Sequence, residues 1–424
     1  MMISKAKKLS ISGGVAIAVL LSATVGLKVF AQQQSTKQIA ALNTHLADLQ
    51  DIAANETVAR LDEKLIAMQI GPSALIDNPN DDIDNSIYAV NEVLSEALND
   101  YFNETLLLTE SAPLPAVPEE VVAYIQAQET HLADIKTLLT EMPAPVWAFD
   151  SAAGYDTVLP QHWNTIKLHQ MLTARSILHI QAGQTNEAQD YLQAAQNLQT
   201  GLGSSPLLLY QLYSYIMLRP QLVVQRFGTA VSTEIAPESY AQTMLESVIR
   251  DNRQVGRSML QQLNHDSNSD AIKAAIIHPF PKFFPKAMMQ LSLSDRAAVL
   301  EENFQAIAQQ NICDRSQTPT IEYAAWNPFK AKYDISYSPL ATAADVSLSA
   351  ELNTLVDEAQ TYFKVHQQWP QSLNSSESVV CPGTQWIYEK TAEGITLSYS
   401  GEAPSSRTSS PLTYRASTAI QQAP

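Results

Sequence analysis

His162, His169 and His179 crowd one stretch of the chain and are side chains that can ligate a metal or relay a proton. On a helix, the seven-residue step from His162 to His169 covers two turns, about 10 Å along the axis at 1.5 Å per residue. That is too far for one ion without a ligand between them, so hydrogen-bonded or surface histidines are expected. Asn80, Asp82 and Asp84 imitate the first ligands of a calcium loop. Asn85 stands where that loop needs a glycine and Asn91 where it needs a Glu, so helix capping is the better reading. Gly201-Leu202-Gly203-Ser204-Ser205 has the composition of a phosphate loop, but a helical pattern precedes it, and glycine suits a helix end.

The familiar reactive signatures are missing: Gly-x-x-x-x-Gly-Lys-Ser/Thr, Gly-x-Gly-x-x-Gly, Gly-x-Ser-x-Gly and His-Glu-x-x-His. No catalytic, cofactor-binding or metal residue is therefore assigned. Cys313 and Cys381 are the only cysteines, and neither has a second Cys or a His at metal-ligand spacing. In an oxidising compartment such a pair is a disulfide candidate, with two free buried thiols as the alternative. Trp369, Pro370, Trp386 and Tyr388 form a candidate interaction surface, since rings beside a proline can face a ligand. The competing expectation is a small core that fastens a hairpin to its helix.

The elements that would position these residues are mostly helices. Only 13 of 424 residues are Gly, and apolar residues recur at steps of three and four. Ile39, Leu42, Leu46, Leu49 and Ala53, continued by Leu61, Leu65 and Met68, predict one amphipathic helix stopped by Gly71-Pro72. Ile83 to Tyr101 gives a second stripe. Val121 to Met142 gives a third, entered through Pro113-x-Pro115-x-x-Pro118 and ended by Pro143 and Pro145. Trp163 to Gln199 reads as a helical hairpin turning at Ala182-Gly183-Gln184. The apolar helix from Leu207 is expected to break or end near Pro220. Pro237-Glu238 opens another helix, His278 to Pro285 is a Pro-aromatic corner, and Ser292-x-x-Asp295 resembles a capping box. After the stripe Leu348, Leu352, Leu355, Ala359 and Tyr362, Gln385–Lys390 and Ile395–Tyr399 flank a Gly-containing turn and predict a β-hairpin.

The N-terminus adds an address. Lys5, Lys7 and Lys8 precede the uncharged run Ile11–Leu27, the pattern of an export signal or a single membrane anchor. Retained, residues 11–30 span the membrane once and leave the body outside the cytoplasm, in the periplasm. Alternatively, Val29-x-Ala31 is cut after Ala31 and the protein is secreted. Gly13-Gly14-Val15-Ala16 does not supply a prepilin processing site. The net charge is −17, and four of the 26 basic but none of the 43 acidic residues lie in the first 31, leaving −21 beyond them. That balance excludes nucleic acid as the expected partner.

The expected fold is mainly α: an extracytoplasmic helical bundle of αα-hairpins with a small C-terminal helix plus β-hairpin module. The expected divisions are 1–31, a signal anchor or signal peptide; 32–112, juxtamembrane helices; 113–311, a helical body; 312–402, the helix and hairpin; and 403–424, a disordered tail rich in Ser, Pro, Thr and Gln.

Tyr362 to Leu373, ending in Trp369-Pro370-Gln371-Ser372-Leu373, resembles the phrase Tyr-x-x-x-x-Gly-x-Tyr/Trp-Pro-x-Ser-Leu. That phrase closes the long helix of secretion pseudopilins and type IV pilin-like proteins. With Ala182-Gly183-Gln184 and Asn327-Pro328 upstream, residues 160–400 are also similar to a set of membrane-anchored helical bacterial proteins with a pseudopilin-like C-terminal block. The resemblance implies a helix followed by a small antiparallel sheet, and it brings no established activity.

One function is expected from these readings, with two alternatives. It is that of a non-enzymatic, envelope-anchored helical protein that binds or scaffolds other envelope proteins, with no cofactor. The first alternative is an accessory component of a pilus or type II secretion system. The second alternative is a periplasmic hydrolase with an unrecognised site, which requires a buried His, Asp or Glu cluster in a cleft.

Overall fold

The computed structural model describes residues 26–70, 85–151, 162–228, 237–265, 286–308, 313, 338–373, 376–402 and 411–417. The protein is mainly helical. Among the described residues no helix is long and apolar enough to cross a membrane. The run Ile11–Leu27 lies outside them apart from Gly26 and Leu27, as do the Asn80–Asp84 loop, the Pro-aromatic corner and Asn327-Pro328.

The chain forms two compact units. One gathers residues 1–49, 249–309 and 319–336. In it, α1 (26–45), the later part of α9 (Pro237–His265) and α10 (Lys286–Ala308) share a cluster of Leu42, Leu260, Leu263, Leu293 and Ala297. Arg253 grips Glu301 with two parallel hydrogen bonds, and that contact holds the Glu301 carboxyl below its ordinary range. Ser292 is buried within α10, so it is not the cap that its spacing suggested.

The other unit gathers residues 50–248, 310–318 and 337–424. The single helix expected over 39–68 is interrupted here. Helix α1 stops at 45, and α2 (Glu56–Ala67) starts afresh behind Asn55, whose Oδ1 accepts from Val58 N at 3.3 Å. The same oxygen accepts from Val146 N at 3.1 Å, and Ile52 and Phe149 exchange backbone bonds of 2.9 and 2.8 Å. These long-range bonds outweigh the continuous apolar period. The third stripe divides likewise into α4 (Glu119–Ala127) and α5 (Glu129–Glu141), parted at Gln128 with ψ 13. Between them and α2 lies α3 (Asn85–Asp100), which runs on into a π-helical turn, Tyr101–Leu106.

Helix α6 (His162–Gln181) turns through Ala182–Gln184 into α7 (Thr185–Gly203), with Gly183 at φ 73, where a side chain would be strained. Helix α8 (Leu208–Gly228) runs through Pro220 instead of ending there. Proline costs the helix its bond to the carbonyl of Ile216. Ile216 is among the exposed residues, while Leu218, Leu222, Val223 and Val224 are buried and keep the segment helical on both sides of the proline. Helix α7 packs on α5, α6 and α8, and α8 packs in turn on α6 and on α11 (Ser338–His366).

Helix α11 ends with Gln367 at φ 54, its N–H reaching back to Phe363 O at 2.7 Å. Gln367 stands where the pseudopilin-like phrase has glycine, the residue that this left-handed position favours. Beyond it, β1 (Trp386–Lys390), β2 (Gly394–Tyr399) and β3 (Thr413–Ser417) form an antiparallel sheet in that order. The third strand is a correction, since a disordered tail was expected from 403 onward. Tyr414 pairs with Leu397 and is buried, so burial and pairing organise a segment whose composition is loop-like.

Candidate functional site

The site is built from the last two turns of α8, the C-terminal half of α11 and the sheet. Alternation along the strands puts Trp386, Ile395, Leu397 and Tyr414 on one face, packed over Leu355, Val356, Ala359 and Phe363 of α11. Trp369 joins the same core, its ring 4.5 Å from Phe363.

That arrangement corrects the expected interaction surface. Trp369 and Trp386 are each only 3% exposed, and Pro370 is buried. Tyr388 is half-buried and donates its hydroxyl to Pro370 O at 2.8 Å; burial pushes the phenol up to about 12. Rings of this size bury more apolar area in a core than any small module can leave in water. The four residues fasten the sheet to its helix, and the competing expectation describes them better.

Cys313 and Cys381 are joined in a disulfide, with Cα atoms 5.6 Å apart. It closes a loop of 68 residues, and in the chain-entropy account such a loop is worth about 4 kcal/mol. The loop before Cys381 is also tied to α11. Glu351 accepts from Ser378 Oγ at 2.7 Å and from Val379 N at 2.6 Å.

A cleft of about 480 Å³ opens at the end of the sheet, where the β1–β2 turn meets the end of β3. Ile395 and Phe227 supply apolar lining, while Gln360, Glu393, Thr396 and Ser417 supply polar groups. Phe227 stacks on Tyr414, with centroids 5.5 Å apart. Gln360 Nε2 donates to the Tyr414 hydroxyl at 3.0 Å and to Arg226 O at 3.2 Å, so the wall is braced from beneath. Burial raises the Tyr414 phenol, and Gln360 and Arg226 act against that rise. A strap closes one side: Arg415 N donates to Glu110 O at 2.8 Å, its guanidinium lies 3.4 Å from the Glu110 carboxylate, and Ser111 bridges to Arg415. Such a lining, part apolar and part hydrogen-bonding, suits binding of a small polar group or a side chain.

The histidines are not brought together as a metal site. His169 is fully buried, with Nε2 2.7 Å from Gln221 Nε2, and burial pushes its imidazole down to about 3. It is neutral at ordinary pH and poorly matched to a general base. His179 Nδ1 lies 2.6 Å from Gln184 Oε1 and its ring stacks on Tyr191. Among the described residues no three His, Cys, Asp or Glu side chains group as metal ligands. Gly201 and Gly203 lie inside α7 rather than in a phosphate loop.

The sequence reading missed the buried polar residues that join α11 to α8 and to the loop before Cys381. Arg226, Ser349, Glu351 and Asn353 are all at most 8% exposed. A faint signal was present, since Asp345, Ser347, Ser349, Glu351 and Asn353 alternate with apolar residues in a helix buried on nearly every side. Compared with known protein families, curated proteins and solved structures, the chain matches none.

Proposed function

We propose that the protein is held at a membrane by residues 11–30, with its helical hairpins outside the cytoplasm, and acts as a non-enzymatic binding or scaffold protein of the cell envelope. The cleft at Gln360, Glu393 and Thr396 carries this reading, since its mixed lining is that of a binding site. Retention of the N-terminal run is supported by α1, whose helix runs unbroken from 26 to 45 through the candidate cleavage point after Ala31. Photo-crosslinkers at Glu393 or Thr391 in membrane-held protein should capture one recurrent envelope partner. The cleft-filling change Thr396→Trp should abolish that capture. Equal capture from Asp190, exposed on α7, or no effect of Thr396→Trp would overturn the assignment.

A second reading, an accessory of a pilus or type II secretion system, is supported by the order of a 29-residue helix and then an antiparallel sheet. Deleting residues 345–400 would remove most of α11 from the core and unfold the unit, so it cannot test partnership. Charged substitutions at the exposed Val379 and Ile387 are the better probe. Co-purification with secretion components, lost in those variants, would favour this reading over the first.

A further inference from the structure

We propose that the partner taken at the cleft is an extended peptide segment, paired in parallel with the outer edge of β3 and setting an acidic side chain on Arg415, and that residues 108–113 of the strap hold its place in the free protein. The inference rests on the binding reading above and names the class of partner for that same cleft.

The register shows which backbone groups face outward. Tyr399 N donates to Leu412 O at 3.0 Å, so alternation along the antiparallel pair turns Leu412, Tyr414 and Ala416 towards β2 and Thr413, Arg415 and Ser417 outward. The strap meets this outer row at its middle. Arg415 N donates to Glu110 O at 2.8 Å, and Ser111 pairs with Arg415 in an isolated parallel bridge. Among the described residues Thr413 has no backbone partner on its outer side. A strand edge covered over so short a length is a template for another chain.

Little holds the strap down. Leu107 and Leu114 are buried, whereas residues 108–113 between them are exposed or half-buried, so lifting them takes no buried side chain out of the core. The side chains of Glu110 and Arg415, 3.4 Å apart, are 36% and 62% exposed, and ion pairs so open to water contribute little.

The strap also shows what a replacement must be. It runs parallel to β3 and sets an acidic residue on Arg415. By Pro115 it is bound to the helical body instead, since that carbonyl accepts from the Tyr101 hydroxyl at 2.9 Å and from Gln181 Nε2 at 3.2 Å. The cleft opens beside this departure, lined by Ser111 and Ala112 of the strap and by Ala416 and Ser417 of β3. A segment laid on the same line and continuing straight runs along Ser417 into the cleft, where its next side chains find about 480 Å³. Backbone pairing then supplies affinity, while Arg415 and the cleft supply specificity.

Full-length protein in detergent is titrated against a fluorescent peptide with the sequence of residues 107–112, Leu-Leu-Thr-Glu-Ser-Ala, and binding is read by anisotropy. Glu110→Lys sets like charges on the strap and Arg415. That variant should bind the peptide at least about tenfold more tightly than the parent, whose own strap competes. The same peptide with Lys in place of Glu should bind neither protein. Arg415→Glu should lose the first peptide and gain the Lys-bearing one, a reversal that an unfolded variant cannot give. Equal affinity of the parent and Glu110→Lys, or unchanged binding in Arg415→Glu, would overturn the strap as a stand-in. No binding to Glu110→Lys, while photo-crosslinkers at Glu393 still capture their partner, would overturn the extended peptide and leave the binding reading standing. Loss of that capture as well would overturn both.

Discussion

Arg226 on α8 donates from Nε to Asn353 Oδ1 on α11 at 2.9 Å, in a core where the two are 2% and 8% exposed. The guanidinium also donates from Nη2 to Ser349 Oγ at 3.1 Å, and Asn353 Nδ2 donates to Leu222 O at 2.8 Å. Among the described residues no carboxylate lies within ion-pair distance of Arg226. Burial lowers its pKa to about 10, with Tyr414 acting the other way, so it stays charged at neutral pH. Neutral oxygens therefore replace the water that this cation gives up. Asn353→Leu should cost about 3 kcal/mol, because it strands a buried charge. Arg226→Met/Asn353→Leu should be more stable than Asn353→Leu alone, since charge and partner leave together. Urea midpoints of the four proteins in the cycle measure the coupling, and additive effects would mean that the pair is not a unit.

The mainly helical fold was legible because the three- and four-residue apolar step recurs through most of the chain. The breaks at 46–55 and at Gln128 were not, because the apolar residues on either side of each keep to one helical face, as Ile125 and Leu132 do two turns apart. What decides the first is the pairing of Ile52 with Phe149 and the bonds from Asn55 to Ala144 and Val146, partners about ninety residues away. Strand β3 was hidden for a related reason. Thr413–Ser417 is short, and only its register against β2 distinguishes it from the loop-like sequence around it. The cleft inherits that difficulty, because Gln360, Glu393 and Ser417 become neighbours only once β3 is in place. Arg226 was missed because arginine is a surface residue by default.

Gly201 shows packing overriding propensity. An alanine Cβ there would sit 2.2 Å from Pro145 O, a backbone atom, whereas at Gly203 the nearest atom is the side-chain hydroxyl of Ser214 at 2.9 Å. Helix propensity alone makes Gly201→Ala stabilising by about 1 kcal/mol. The contact with Pro145 makes it destabilising, by about 2 kcal/mol. Thermal unfolding checks the sign at Gly201, where Gly201→Ala should lower the Tm, and should lower it further than Gly203→Ala does.

Asp251 should make one unit more stable in mild acid. Burial raises its carboxyl from 3.8 to about 6. The folded state thus keeps a proton that the unfolded chain releases, and stability falls as the pH rises from about 4 to about 6. Asp251→Asn removes this dependence and should gain up to about 3 kcal/mol at pH 7, with little change at pH 4. Hydrogen exchange in α10, which belongs to the same unit, reports the change; equal slowing at both pH values would show that burial of the charge is not the cause.

His169 acts in the opposite direction in the other unit. Its folded pKa of about 3 lies below the free value of 6.5, so between these limits the unfolded chain takes up a proton that the folded one refuses. Stability from the neutral imidazole is present above about 6.5 and drains away as the pH falls towards 3, by about 5 kcal/mol at most. The Gln221 side chain at 2.7 Å does not offset this, because an amide NH₂ facing Nε2 can donate to neutral imidazole but not to the cation. His169→Gln keeps an acceptor for Gln221 and cannot titrate. Its urea midpoint at pH 7 should be no higher than that of the parent, while its loss between pH 7 and pH 4 should be smaller. Parallel losses in the two proteins would assign the acid sensitivity of this unit to its carboxylates instead.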